Sequence, residues 1–282
     1  MSPRKALGQH FLKDPTIARR IVDALDLTPG DVVVEIGPGR GALTARLMES
    51  GARMILVEID ESLAAGLRER FSEHPQVTVA TADARAFSID SVPGIGKVPY
   101  KLVGNLPYYA ASPIVRHFLE TDRPPDLMVV MVQREVARGM TAPPGEMSLL
   151  SIGVQFYAEA RSVIQVPPRA FSPPPNVHSA VVRMARRTRP PIDVDSPAAF
   201  FSLARAGFAA PRKTLANSLA LGLRLDNATV SEFLTRSQLD PARRPATLSL
   251  EEWGSLYQAW KESGRPGLEQ VRKAPAIHDG RR

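Results

Sequence analysis

The sequence predicts a doubly wound α/β domain with a mostly parallel sheet, followed by a small all-helical domain. Three observations predict it. Short, near-continuous apolar runs alternate with helix-compatible stretches over the first two thirds, a glycine-rich turn follows the first of those runs, and beyond residue 197 the patterning is helical only. Near-continuous apolar strands belong to a sheet covered on both faces, and β/α alternation makes such a sheet parallel, with its ligand at the carboxyl ends of the strands.

The strands are expected at VVVEI (32–36), MILVEI (54–59), VTVATA (77–82), KLVGNL (101–106) and LMVVMV (127–132). VIQVPP (163–168) and VHSAVVRM (177–184) read as later edge strands on either side of a proline-rich PPRAFSPPP loop. Ser112-Pro113 reads as an N-cap followed by proline at the first helical position, with Ile114, Val115, Phe118 and Leu119 at helical spacing behind it. The boundaries predicted are a catalytic domain over 1–185, a charged, proline-rich linker over 186–197, a helical domain over 198–263 and a disordered tail over 264–282. In the helical domain Ser196-Pro197 caps one helix, and Ser249 with Glu252 forms a capping box for another, whose Trp253, Leu256, Tyr257 and Trp260 make one apolar stripe.

Composition narrows the chemistry. The chain of 282 residues has no Cys, so disulfides, thiolate metal sites and Cys nucleophiles are excluded. Its five His lack paired metal-ligand spacing, so no metal is expected. No secretory h-region and no membrane-length apolar run occur, and a cytoplasmic protein is expected. The net charge of +7 is uneven: residues 1–182 balance at 19 basic against 19 acidic, 183–195 carry 4 against 2, and 196–282 carry 13 against 8. A neutral front and a basic back suit a polyanion held by the back part, although an Arg-rich solvated surface would look the same.

Two stretches carry chemistry. In VEIGPGRGALT (34–44) a strand ends at Ile36 and glycines let the backbone turn sharply beneath a ligand. Gly37-x-Gly39-x-x-Ala42 also satisfies a dinucleotide fingerprint, and Glu58, 21 residues after Gly37, is placed to bind ribose hydroxyls in either kind of nucleotide site. Asp83, ending VTVATAD, can accept from an adenine amine. Carboxylates here, with Glu35 at the first strand end, disfavour a pyrophosphate and favour an amino-bearing sulfonium cofactor, S-adenosylmethionine.

The second stretch is VGNLPYYAAS (103–112), on the strand end facing the same cleft. The exocyclic amine of adenine is a poor nucleophile because its lone pair is delocalised into the ring. The side-chain oxygen of Asn105 and the main-chain oxygen of Leu106 can accept its two protons. Pro107 stiffens the turn, and Tyr108 can stack on the base. Such catalysis works by position and electrostatics, without a strong general base.

These motifs, with LGQHFLKDP (7–15), VQREVA (132–137), FSPPPNVHSAVVR (171–183) and PRKTLANSL (211–219), are long and fall in family order. The chain resembles the ribosomal RNA adenine-N6 dimethyltransferases, in particular their small-subunit (KsgA-type) group. The resemblance implies a Rossmann-like class I methyltransferase sheet, S-adenosylmethionine as cofactor, and two neighbouring adenines of a 16S rRNA hairpin loop, in an immature small subunit, as substrate. It implies that His10 and Leu12 fold over the cofactor, that Gly37 faces its methionine part, Glu58 its ribose and Asp83 its adenine, and that Asn105 meets both cofactor and target amine. It implies further that Tyr108 and Phe171 sandwich the target base. RNA contacts are expected from Arg183, Arg186, Arg187, Arg212 and Lys213, and a monomer is expected. His10 stands where many members have Asn, and Pro211-Arg212-Lys213 where they often have Arg-Arg-Lys. The alternatives are the large-subunit methyltransferases of macrolide resistance, an NAD-dependent oxidoreductase using the 37–42 fingerprint, and a non-catalytic ribosome-assembly factor.

Overall fold

The computed structural model describes residues 10–269 and divides the chain into two compact units. Of the described residues, the first comprises 10–141 together with Tyr157–Thr188; the second comprises Ala142–Phe156 together with 189–269. The motif residues 7–9 and the tail residues 270–282 lie outside the described residues.

The first unit begins with a short strand β1 (Phe11–Leu12) and helix α1 (Pro15–Asp23), whose N-terminal amides are capped by the Asp14 carboxylate. The strands and helices β2 (Val32–Ile36), α2 (Thr44–Leu47), β3 (Arg53–Glu58), α3 (Glu61–Arg70), β4 (Val77–Thr81), β5 (Lys101–Asn105), α4 (Ala111–Glu120), β6 (Leu127–Gln133) and α5 (Arg134–Met140) follow. After α6 (Leu149–Tyr157) the chain adds β7 (Ala158–Val166), β8 (Phe171–Ser172) and β9 (Ser179–Arg186).

The main sheet has seven strands in the order β4-β3-β2-β5-β6-β9-β7. The first five are parallel, and β9 and β7 join antiparallel at one edge. Every residue of β2 is buried, as is β6 up to its last residue, which is what near-continuous apolar runs require of strands covered on both faces. The chain moves outward from β2 through β3 to β4, then crosses back to lay β5 on the other side of β2. That reversal opens a crevice at the carboxyl ends of β2 and β5, where doubly wound sheets bind ligands.

Two local expectations shift. Helix α4 starts at Ala111 with Ala110 as an N-cap that makes no side-chain bond, so Ser112 and Pro113 lie inside its first turn. Proline is tolerated there because first-turn amides lack intrahelical acceptors anyway. Strand β7 starts at Ala158, before the apolar run, because as an edge strand it carries exposed polar residues, Glu159, Arg161, Ser162 and Gln165.

In the second unit α7 (Pro197–Gly207), α8 (Leu215–Leu223), α9 (Asn227–Arg236) and α10 (Leu250–Glu262) are capped by the side chains of Ser196, Thr214, Asp226 and Ser249. The Ser249–Glu252 capping box is present, and Trp253, Leu256, Tyr257 and Trp260 are fully buried. The segment Ala142–Phe156, expected within a continuous 1–185 domain, groups with these helices: Phe156 stacks on Phe200 at 5.3 Å, and Gly145 and Met147 donate main-chain bonds to Ala246. The segment expected to be a linker is tied down as well. Ile192 packs on Gly254, Gln258 donates to the Asp193 carbonyl, and Asp195 accepts from Tyr257 and Arg265.

Candidate active site

A pocket opens at the crevice between the ends of β2, β3 and β5. Its walls include His10, Leu12, Gly37, Glu58, Asp83, Asn105, Leu106, Pro107 and Tyr108, residues drawn from five separate stretches of chain.

The floor is the turn after β2. Gly37 and Gly39 both have positive φ, +64° and +54°. A Cβ on Gly39 would lie 3.0 Å from the Phe11 ring, so the glycine lets the segment around β1 close down on the turn. The Arg40 guanidinium lies 4.6 Å from the centre of that same ring. Glu58, at the end of β3, is buried and braces the turn: one carboxylate oxygen accepts from the Gly39 amide (3.1 Å), the other from the Asp60 amide (3.0 Å). Burial raises its pKa, and the amide bonds oppose that rise. The Ile59 amide also bonds this carboxylate, whose roughly four acceptor positions still leave room for a ligand hydroxyl. Behind the turn Glu35 is 2 % exposed and accepts from the Thr44 hydroxyl at 2.7 Å. Burial pushes its pKa up to about 7.

One wall is the turn after β4. Asp83 is clamped by its own neighbour, accepting from the Arg85 main-chain amide (2.9 Å), from Nε on both oxygens (3.0 Å each) and from Nη2 (2.5 Å). The Arg85 bonds hold its pKa below the usual carboxylate range. An incoming amine therefore competes with a guanidinium for this carboxylate.

The opposite wall is the loop after β5. The Asn105 Nδ2 donates to the His10 carbonyl at 2.9 Å, which leaves the side-chain Oδ1 as the acceptor turned to the pocket's chemistry. Leu106 is buried and donates its amide to Met131, while the Pro107 carbonyl accepts from Ala110, closing a tight turn. The Tyr108 hydroxyl sits 2.7 Å from Ser179 Oγ, a fully buried group at the start of β9. Burial raises the Tyr108 pKa, so the phenol stays neutral in the physiological range.

Phe171 stands behind the pocket wall. It is 1 % exposed, belongs to the same core cluster as Leu12, and does not line the pocket. The reason is register: β8 pairs antiparallel with β1, opposing Phe171 to Leu12 and Ser172 to Phe11, so Phe171 supports the segment that covers the pocket. Arg183 also turns inward, donating to the Ala24 carbonyl and to Asp26. Arg186 is exposed and lies 3.5 Å from Asp126, Arg187 is half-buried, and Arg212 and Lys213 are exposed.

Sequence reasoning missed Ser179, Phe11, Thr44 and Arg85. Arg85 had a local signal, standing two residues from an acid that would pair with it. Thr44 stands nine residues from Glu35 within the 34–44 motif, while Ser179 and Phe11 act through contacts between distant segments and had no local signal. Among the described residues, no group of three or more His, Asp or Glu is disposed to hold a metal, and no helix is long and apolar enough to cross a membrane.

Carboxylates around a glycine turn fit an adenosyl cofactor with a cationic centre, and the Asn-Leu-Pro-Tyr loop facing them supplies the acceptors for an amine substrate. The molecule is thus a Rossmann-like class I methyltransferase. A family model for ribosomal RNA adenine dimethylase matches residues 1–261, and the chain belongs to that family. It is 45 % identical over 260 residues to the ribosomal RNA small subunit methyltransferase A of Dehalococcoides mccartyi, covering 92 % of this chain and 89 % of that one. The protein of the same name in Enterococcus faecalis is 40 % identical over 268 residues, 92 % of this chain and 91 % of that one. Among solved structures, the 23S rRNA methyltransferase ErmE is 30 % identical with a TM-score of 0.70, covering 89 % and 99 % of the two chains. A dimethyladenosine transferase from Plasmodium falciparum shares the fold, with a TM-score of 0.73 at 23 % identity over 90 % and 98 %. This family membership displaces the dinucleotide-oxidoreductase reading of the 37–42 turn.

Proposed function

We propose that the protein transfers methyl groups from S-adenosylmethionine to the N6 amines of two adjacent adenines in a small-subunit rRNA hairpin loop, giving N6,N6-dimethyladenosines on an immature subunit in the cytoplasm. The observation that carries the proposal is the Asn105 amide, held by the His10 carbonyl with its oxygen free beside the Leu106-Pro107-Tyr108 turn.

Bound there, the cofactor supplies an electrophilic methyl group and a positive charge. Glu58 holds its ribose, Gly37 leaves room for its amino-acid end, Asp83 receives its adenine once Arg85 yields, and the His10–Leu12 segment covers it. Asn105 Oδ1 and the Leu106 carbonyl accept the two protons of the target amine, which draws nitrogen electron density out of the ring and towards the methyl. Pro107 restrains the carbonyl, and Tyr108 stacks on the base. Rate comes from position and fixed dipoles, with no strong base needed. A loop adenine suits this pocket because an unpaired base is splayed out more cheaply than a paired one. Arg186, Arg187, Arg212 and Lys213 hold phosphates; Arg183 is spent on Ala24 and Asp26 and is left out of that set. The protein works as a monomer. Identities of 40–45 % to small-subunit enzymes, against 30 % to the 23S enzyme, favour the small subunit.

The test is incubation with labelled cofactor and unmodified small subunits, then digestion and nucleoside analysis. Label in dimethyladenosine from the small-subunit hairpin is expected, and Asn105→Ala should lower its rate by about 100-fold or more while cofactor binding falls far less. Label on large-subunit RNA, or an Asn105→Ala protein of normal rate, would overturn the proposal.

A further inference from the structure

Arg85 stands on the pocket wall and occupies the carboxylate that the cofactor needs. Its main-chain amide and Nε point at one oxygen of Asp83, and Nε and Nη2 at the other. A carboxylate offers about four acceptor positions, so an adenine amine gains a place only when the guanidinium gives one up. The turn itself does not depend on that side chain. Its shape comes from the residue 85 amide on Asp83 Oδ1 and from the Ala86 amide on the Asp83 carbonyl. The guanidinium is therefore able to leave while the wall stays in place. Its side chain is 52 % exposed, and beside it stands Tyr109, 46 % exposed, whose hydroxyl acts electrostatically on the guanidinium. Both residues line the pocket, so both stand at its rim. The pocket's other arginine, Arg40, lies over the Phe11 ring on the floor side.

We infer that Arg85 couples cofactor binding to RNA binding: it is latched on Asp83 in the cofactor-free protein, and the cofactor adenine displaces it to the rim beside Tyr109, where it holds an RNA phosphate next to the target base. This rests on the reading of Asp83 as the acceptor for the cofactor adenine. Latched, the guanidinium is matched by a carboxylate and presents little net charge to a phosphate. Released, it presents a planar fork of donors suited to phosphate oxygens, at the edge that an RNA strand must pass to bring a base to Asn105. Cofactor-loaded protein therefore binds RNA more tightly than empty protein, and by linkage RNA strengthens cofactor binding by the same factor. The size of the effect is bounded. The gain cannot exceed the strength of the pair that the cofactor breaks, and an exposed ion pair such as this one is worth about two- to fivefold in an equilibrium.

The probe is S-adenosylhomocysteine, which has the adenine but neither a methyl group to transfer nor a sulfonium charge to attract RNA. Its affinity for the full-length protein is measured alone, and the affinity of the substrate hairpin RNA is measured with and without it at saturation, all at one ionic strength. In wild type the RNA should tighten by about two- to fivefold when S-adenosylhomocysteine is present. Arg85→Ala should bind S-adenosylhomocysteine about two- to fivefold more tightly, its competitor being gone, and should bind RNA equally well with and without it. An Arg85→Ala protein with wild-type affinity for S-adenosylhomocysteine, or with the RNA tightening intact, would overturn the inference. Asp83→Ala tells that failure from failure of the underlying reading. If it weakens S-adenosylhomocysteine by about tenfold while Arg85→Ala changes nothing, only the coupling falls. If it leaves that affinity unchanged, Asp83 does not hold the adenine, and the coupling falls with that reading.

Discussion

Replacing Glu35 by Gln tests whether the buried acid behind the glycine turn is neutral in the cofactor-free fold. The carboxyl is 2 % exposed, its contact is the Thr44 hydroxyl, and burial raises its pKa from 4.5 to about 7. A group whose folded pKa exceeds its unfolded value contributes stability in full below the unfolded pKa and loses it as pH rises through the folded one. A shift from 4.5 to about 7 is worth about 3 kcal/mol, lost mainly between pH 4.5 and 7. Glutamine is neutral throughout and loses nothing. The stability of Glu35→Gln relative to wild type should therefore climb by about 3 kcal/mol from pH 4.5 to pH 8 and then level off. Any fixed offset from the altered bond to Thr44 shifts the curve without changing its shape, and acids away from the site cancel in the difference; Glu58, whose charge adds to the rise of the Glu35 pKa, is the exception. Urea unfolding of both proteins across this range provides the measurement. Both tryptophans, Trp253 and Trp260, belong to the helical unit, so unfolding of the sheet must be followed by circular dichroism. A difference that stays flat from pH 5 to 8 would mean that Glu35 is ionised in the fold, refuting the argument from burial.

Three further outcomes are expected. Gly39→Ala places a methyl 3.0 Å from the Phe11 ring on a backbone with φ of +54°, and should cost about 1–2 kcal/mol in thermal unfolding together with weakened cofactor binding; calorimetry showing unchanged binding would deny the turn its role beneath β1. Ser179→Ala should slow methylation in wild type but add nothing in a Tyr108→Phe background, because the buried hydroxyl acts through the Tyr108 phenol. Equal losses in both backgrounds would show a role apart from Tyr108. Removing Arg212 and Lys213 together should reduce the slope of log affinity for RNA against log salt by about 1–2, and an unchanged slope would take these exposed residues out of the phosphate contacts.

The strands β2 to β6, the glycine turn and the Asn105–Tyr108 loop were legible because each rests on local energetics. Apolar runs of strand length, positive-φ glycines and Ser196 or Ser249 caps act within a few residues of themselves. The motifs at residues 34–44 and 103–112 sit at the ends of adjacent strands, so a doubly wound topology alone was enough to bring them to one crevice. The separation of the front and back of the chain by charge was equally open to counting.

What the tertiary structure decided depends on contacts between segments far apart in the chain. Phe171 reads as a loop aromatic, yet pairing with Leu12 across 159 positions buries it. Arg183 reads as a free cation until Ala24 and Asp26 take it up, and Ala142–Phe156 reads as part of the sheet domain until Phe156 finds Phe200. His10 is the plainest case. By itself it is a polar residue in an N-terminal motif, and only the bonds to Asn105 and Pro173 set its ring against Tyr108. Local propensity chose the elements and put the motifs at their ends; long-range burial and hydrogen bonding chose which side chains face the pocket.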